Sequence, residues 1–153
     1  MPVISGPVGA TGASGGAQLD YVERTSDSAG LAITSTSDGN SNGQQFIDGN
    51  AVTYDGSTRI KIEVYVPIGE ITSGQSFILN LYDGTTDLGR IAVVSGPGGT
   101  NDQTMYGVRF LTPSAASHTY HIRAWKSGGT AKIFDNAGGA SVYLPAWYRI
   151  TKA

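Results

Sequence analysis

Between Thr58 and Val66 the chain alternates strictly between polar and apolar side chains, which places Ile60, Ile62, Val64 and Val66 on one face. A period of two belongs to an extended strand, and no helix gathers those four residues on one side. A strand with one apolar face needs paired neighbours and a second layer to cover it, so this run commits the chain to sheets. The same phase returns from Phe77 to Tyr82, with Phe77, Leu79 and Leu81 on one side and Asp83-Gly84 opening a turn. Further strands are expected at Arg90 to Val94, Met105 to Leu111 and Thr119 to Trp125, with weaker ones near Leu19 to Glu23, Leu31 to Thr34 and Ala51 to Tyr54. A last strand is expected from about Val142 to Ile150, carrying Leu144, Ala146, Tyr148 and Ile150 on one face. Pro145 inside it implies a bulge or an unpaired edge position.

Composition points the same way. Glycine reaches 22 residues and charged residues only 14%, against about 25% in an average soluble protein. The Ala/Leu/Glu/Lys-rich stretches of stable helices are missing. Short strands separated by turn residues at intervals of about 8–12 residues read as an antiparallel sandwich or jelly roll.

The N-terminus follows another rule. Gly6, Gly9, Gly12 and Gly15 recur at every third position, with Pro7 directly after the first. A collagen triple helix demands that period, because only glycine fits where three chains meet at the axis. A flexible Gly/Ala/Ser linker is the other reading of the same residues. In the first case residues 1–18 form an attachment tip and a short stalk, about 35 Å long, and residues 19–153 form the head. The tip, Met1, Pro2, Val3 and Ile4, is short and mostly apolar, suited to docking on another protein.

Several partners and chemistries are disfavoured. The net charge is −2 and the ten basic residues are scattered, which is no footprint for nucleic acid. No apolar run approaches the roughly 20 residues of a membrane-spanning helix, and the first residues lack the pattern of a secretion signal. Cysteine is absent, so neither disulfides nor thiolate metal sites are available. The expectation is a soluble protein made in a cytoplasm, without a cofactor. Asp38, Asn40 and Asn42 in DGNSNG match the opening of a calcium loop, but position twelve is Gly49 where the closing glutamate belongs. A plain polar turn uses the same residues. His118 and His121, three apart on a strand, point to opposite faces and cannot share a metal within one chain. No Gly-x-Ser-x-Gly elbow is present, and Glu23, Glu63 and Glu70 fall at outward or turn positions. No catalytic residue is assigned, and the chain is expected not to be an enzyme. Gly96 to Asp102 reads as a long exposed loop.

The closing stretch supports a more specific comparison. A Gly-x-y segment leading into a compact β domain resembles the globular heads of complement- and tumour-necrosis-factor-like trimers. Phe110-Leu111-Thr112-Pro113-Ser114, Ser117-His118-Thr119-Tyr120-His121-Ile122-Arg123-Ala124-Trp125, Ser127-Gly128-Gly129-Thr130 and Val142-Tyr143-Leu144-Pro145-Ala146-Trp147-Tyr148-Arg149-Ile150 resemble the end of small bacteriophage structural proteins. Among these are tail-fibre tips and capsid surface proteins with a collagen-like start. The resemblance covers about the C-terminal third and the Gly-x-y segment. It implies a trimeric jelly roll on the surface of a virus particle, assembled in the host cytoplasm, which touches other virion proteins through its N-terminus.

The residues of the last strand agree with a trimer on separate grounds. Leu144, Ala146, Tyr148 and Ile150 can fill a core, while Tyr143, Pro145 and Trp147 on the other face need cover from elsewhere. Tyr143 and Trp147, with Tyr148 if that residue is the one turned outward, are the expected trimer contacts, since Tyr and Trp offer an apolar ring and a polar tip. A strand buried between two layers of its own domain would have the same composition. The competing functional reading is a carbohydrate- or receptor-binding module of a tail fibre, with Trp125 or Tyr106 as stacking aromatics; a polysaccharide-cleaving enzyme would need acids clustered in a groove, which the sequence does not offer.

Overall fold

A computed structural model describes residues 16–26, 29–37, 43–138 and 142–153. The stalk glycines Gly6, Gly9, Gly12 and Gly15, the tip Met1 to Ile4, and Asp38, Asn40 and Asn42 of the calcium-like loop lie outside these residues.

The described chain is all-β and its strands pair antiparallel throughout. The organising element is β5, Ile60–Thr72, which contains the alternating run. Its 13 residues are long enough to hold two partners end to end on one edge. There β12 (Ala146–Lys152) pairs with the first half and β11 (Ala131–Phe134) with the second. The other edge belongs to β8, Thr100–Leu111. Outer strands β1 (Gln18–Arg24) and β2 (Leu31–Ile33) complete this larger sheet by pairing with β12 and β11. The smaller sheet runs β3 (Gln44–Asp48), β10 (Tyr120–Lys126), β6 (Ser76–Asp83) and β7 (Thr86–Ser95). A two-stranded piece joins β4 (Val52–Thr53) to β9 (Ser117–His118).

The phase read from sequence is the phase that is buried. Ile60, Ile62, Val64 and Val66 are sealed in one core together with Phe77, Leu79 and Leu81 of the smaller sheet. Ile122, Ala124, Ala146, Tyr148 and Ile150 join them. Each buried aliphatic side chain of this kind contributes about 1.5–3 kcal/mol. Two glycines set the spacing. A Cβ on Gly69 would lie 2.8 Å from the Met105 sulfur, and one on Gly107 would lie 2.1 Å from the Ile91 carbonyl oxygen. The second contact brings β7 and β8 together where the two sheets meet at their edges. Between Val66 and Gly69 the β5–β8 register shifts. Pro67, which has no N–H to give a ladder, sits in that irregularity.

Several sequence expectations need correction. The last strand begins at Ala146, so Leu144 is exposed rather than in the core, and Pro145 precedes the strand instead of bulging it. Strand β1 starts at Gln18, opposite Thr151, one residue inside the expected stalk. The loop at Gly96 is short, because β8 already runs from Thr100 against the far end of β5. Its polar residues hid it from a search for apolar alternation. Strands β3 and β11 were not expected. In β3, Phe46 and Ile47 are both buried, which destroys the two-residue period.

Candidate functional site

The off-phase residues of the larger sheet form its outward face. Strand register sets Tyr65 between Trp147 and Tyr106, Glu63 between Arg149 and Val108, and Lys61 between Thr151 and Phe110. Tyr21 of β1 lies opposite Arg149. In an ordinary sheet with one wet side these positions would be polar. Here most are aromatic or apolar, and Tyr106, Val108, Phe110 and Tyr21 are exposed.

The rings are ordered among themselves. Tyr65 stacks on Trp147 with centroids 5.6 Å apart, and Tyr106 meets Trp147 edge-on at 6.5 Å. The Arg149 guanidinium lies 5.2 Å above Trp147, and that of Arg59 lies 4.9 Å above Phe110. Such cation–ring contacts fix the orientation of both partners.

Beneath the rings sits Glu63, a carboxylate only 3% exposed. Arg149 donates to its Oε2 from Nε at 3.1 Å and from Nη2 at 2.9 Å, and Lys61 reaches the same oxygen at 3.2 Å. The Tyr106 hydroxyl donates to Oε1 at 2.5 Å. Burial pushes the Glu63 carboxyl up, but the bonds from Tyr106, Arg149 and Lys61 outweigh it and hold the group below the usual range. The same Tyr106–Glu63 bond, with burial, raises the Tyr106 phenol. Tyr21 is pushed up to about 12 by burial and its bond to Glu23. Glu63 is thus a locked anion with its oxygens in use. Its chemistry is to orient Arg149 and Tyr106, not to move protons.

No protein-family model matches the chain, and no curated protein matches it.

Of the three expected trimer contacts, Trp147 lies in the middle of this face. Tyr148 does not: it is fully buried in the core, because its neighbour took the outward side of the same strand. Tyr143 belongs to the connection between β11 and β12, where its ring packs on Phe134 at 5.2 Å. Trp125, read as a stacking aromatic, is buried, with Arg90 5.2 Å over its ring and its indole N–H donated to Asn80. Tyr106 is exposed on this face, with its hydroxyl on Glu63. The sequence reading missed Tyr65, Val108, Phe110, Tyr21 and the Glu63–Arg149 pair. The signal was the residue type at the off-phase positions of β5, β8 and β12, where large rings replace the usual polar side chains.

At one end of the face an open pocket of ≈ 640 Å³ is lined by Gly16, Gln18, Lys61, Phe110, Arg149 and Lys152, among others. Gly16 follows the Gly-x-y segment in sequence, and the Ala17 carbonyl accepts a bond from the Lys152 N–H. The histidines find separate acids: His118 meets Asp83 at 2.5 Å, and His121 lies 3.9 Å from Asp48. Among the described residues no group of three or more His, Cys, Asp or Glu could hold a metal.

Proposed function

We propose that the chain is a structural module of a bacteriophage particle: a homotrimeric jelly-roll head on a short collagen-like stalk, exposed as a capsid decoration or a fibre or tail-tip knob. The trimer reading is supported by the position of Gly16, the first described residue after the glycine period. Gly16 lies on the rim of the aromatic outward face, beside Lys61, Phe110 and Arg149. A triple helix brings three chains to a common axis, so the face beside its exit is the one turned toward that axis. Tyr65, Tyr106, Val108, Phe110 and Trp147 then cover one another across three identical contacts. Aromatic residues with a satisfied polar centre suit the middle of such an interface. Attachment to other virion proteins is assigned to Met1, Pro2, Val3 and Ile4. The phage setting is supported by the resemblance of the closing stretch.

Light scattering should give three times the chain mass of 15.9 kDa. Phe110→Glu and Tyr106→Arg, both at exposed positions, should give a folded species of single-chain mass. A wild-type protein that is a clean monomer at micromolar concentration would refute the reading. Labelled native particles imaged by electron microscopy would test the virion location.

The stacked Trp147–Tyr65 pair beside the charged Glu63–Arg149 centre favours a second reading, a carbohydrate-binding face, since rings hold sugar faces while fixed polar groups orient them. A glycan array separates the two. Binding by a monomer, lost in Trp147→Ala, would replace the first reading with the second.

A further inference from the structure

Around the β4–β9 pair the fold assembles three residues from separate elements. His118 directs Nδ1 at Asp83 Oδ2, 2.5 Å away, and Nε2 at the Ser114 hydroxyl, 3.0 Å away. Its ring is wedged between tyrosines, parallel to Tyr120 at 5.9 Å and edge-on to Tyr54 at 5.8 Å. Asp83 closes β6 at the start of the turn, and Gly84 N–H bonds to the Thr119 carbonyl, so the carboxylate is fixed relative to the histidine strand. Ser114 is exposed, on a segment held by buried Pro113 on one side and by the Tyr54 N–H on the Ala116 carbonyl on the other.

We infer that Ser114, His118 and Asp83 form a nucleophilic site that accepts the acyl group of short esters. In the tautomer that donates Nδ1–H to Asp83, Nε2 is left as an acceptor. The Ser114 carbonyl, 3.2 Å from the same nitrogen, cannot satisfy an acceptor; the Ser114 hydroxyl can. That is the arrangement of a nucleophile, its base and the group that holds the base in the required tautomer. The Ser114 oxygen bonds to the ester carbonyl carbon as its proton passes to Nε2. The imidazolium, stabilised by Asp83, gives that proton to the departing alcohol as the old C–O bond breaks. Water repeats the route, releasing the acid and restoring the serine. The amide of Ala115, the residue after the nucleophile, is the backbone donor we assign to the developing oxyanion. Gly56 leaves it uncovered, since a Cβ there would lie 3.0 Å from that nitrogen. The exposed serine limits the substrate to small acyl groups that need no deep pocket. This activity is additional to the structural role and uses none of the outward face.

The test is covalent labelling of the intact trimer or monomer with a fluorophosphonate, read by whole-protein mass, together with hydrolysis of 4-nitrophenyl acetate. One label per chain is expected on Ser114, absent in Ser114→Ala. Asp83→Asn, which favours the wrong tautomer, should slow labelling and hydrolysis at least tenfold, and His118→Gln more so. Circular dichroism of each variant checks the fold, and Ser114→Ala, at an exposed site, serves as the folded control. Wild type that labels no faster than Ser114→Ala, or a label on another residue, would overturn the inference. So would a network whose variants change only the melting temperature while esterase activity stays at the level of Ser114→Ala.

Discussion

Trp147 and Tyr148 are neighbours in sequence with opposite assignments, and paired alanine substitutions separate them. If a trimer unfolds directly to three chains, a hundredfold dilution lowers stability per chain by two-thirds of RT ln 100, about 1.8 kcal/mol. An unfolding entropy of roughly 2.1 cal/mol/K per residue gives about 0.32 kcal/mol/K for 153 residues. The wild-type midpoint should therefore move by about 6 °C over that range. Tyr148 is 0% exposed, and removing a buried aromatic ring costs about 3–5 kcal/mol. Tyr148→Ala should accordingly lower the midpoint by about 9–16 °C at every concentration while keeping the wild-type slope. Trp147→Ala should flatten the slope instead, because its loss frees folded single chains before they unfold. Thermal unfolding by circular dichroism across a hundredfold concentration range, with light scattering at each end, makes the measurement. A wild-type midpoint that ignores concentration, or a Tyr148 variant that flattens the slope while Trp147→Ala does not, would refute the assignment.

Other substitutions probe single features of the structure. Among the described residues the buried Tyr148 hydroxyl has no hydrogen-bond partner, so Tyr148→Phe should raise the melting temperature by about 3 °C or more; a fall would show that the hydroxyl is bonded in solution. Gly107→Ala forces a methyl group into the Ile91 carbonyl and should lower stability by about 1–3 kcal/mol in denaturant titration. Glu63 has a folded-state pKa below its unfolded value, so its contribution is complete above the unfolded value of about 4.3 and is lost as pH falls through the folded one. Glu63→Gln should melt lower than wild type at neutral pH and show a shallower decline in acid. Removal of residues 1–15 should leave the head folded, with an unchanged circular dichroism spectrum and a weaker trimer, since the described core lies wholly beyond them.

Much of the fold was legible because sheets write their phase into the sequence. The run from Thr58 to Val66, the run from Phe77 and the alternation of the closing residues each place one face inward, and those faces meet in the core. Strands failed to show where the period was broken or masked: Phe46 and Ile47 are buried side by side, and Thr100 to Thr104 carry polar side chains along β8. The end of the last strand misled for a related reason. Leu144 fits the apolar phase, yet Pro145 cannot join a ladder, so pairing starts only at Ala146.

By itself the sequence determined the class of fold, the core faces of its clearly alternating strands and the presence of a three-residue glycine period. These are local properties, written in spacing and side-chain type. Only the tertiary structure decided that Trp147 faces outward and Tyr148 inward, because that choice depends on which side of β12 the smaller sheet covers. It alone gathered Tyr65, Tyr106, Phe110 and Trp147 from three strands around Glu63, and it alone set Asp83 beside His118 and Ser114. Cross-strand register makes those neighbours, and register is fixed by which strands pair, a relation between segments distant in the chain.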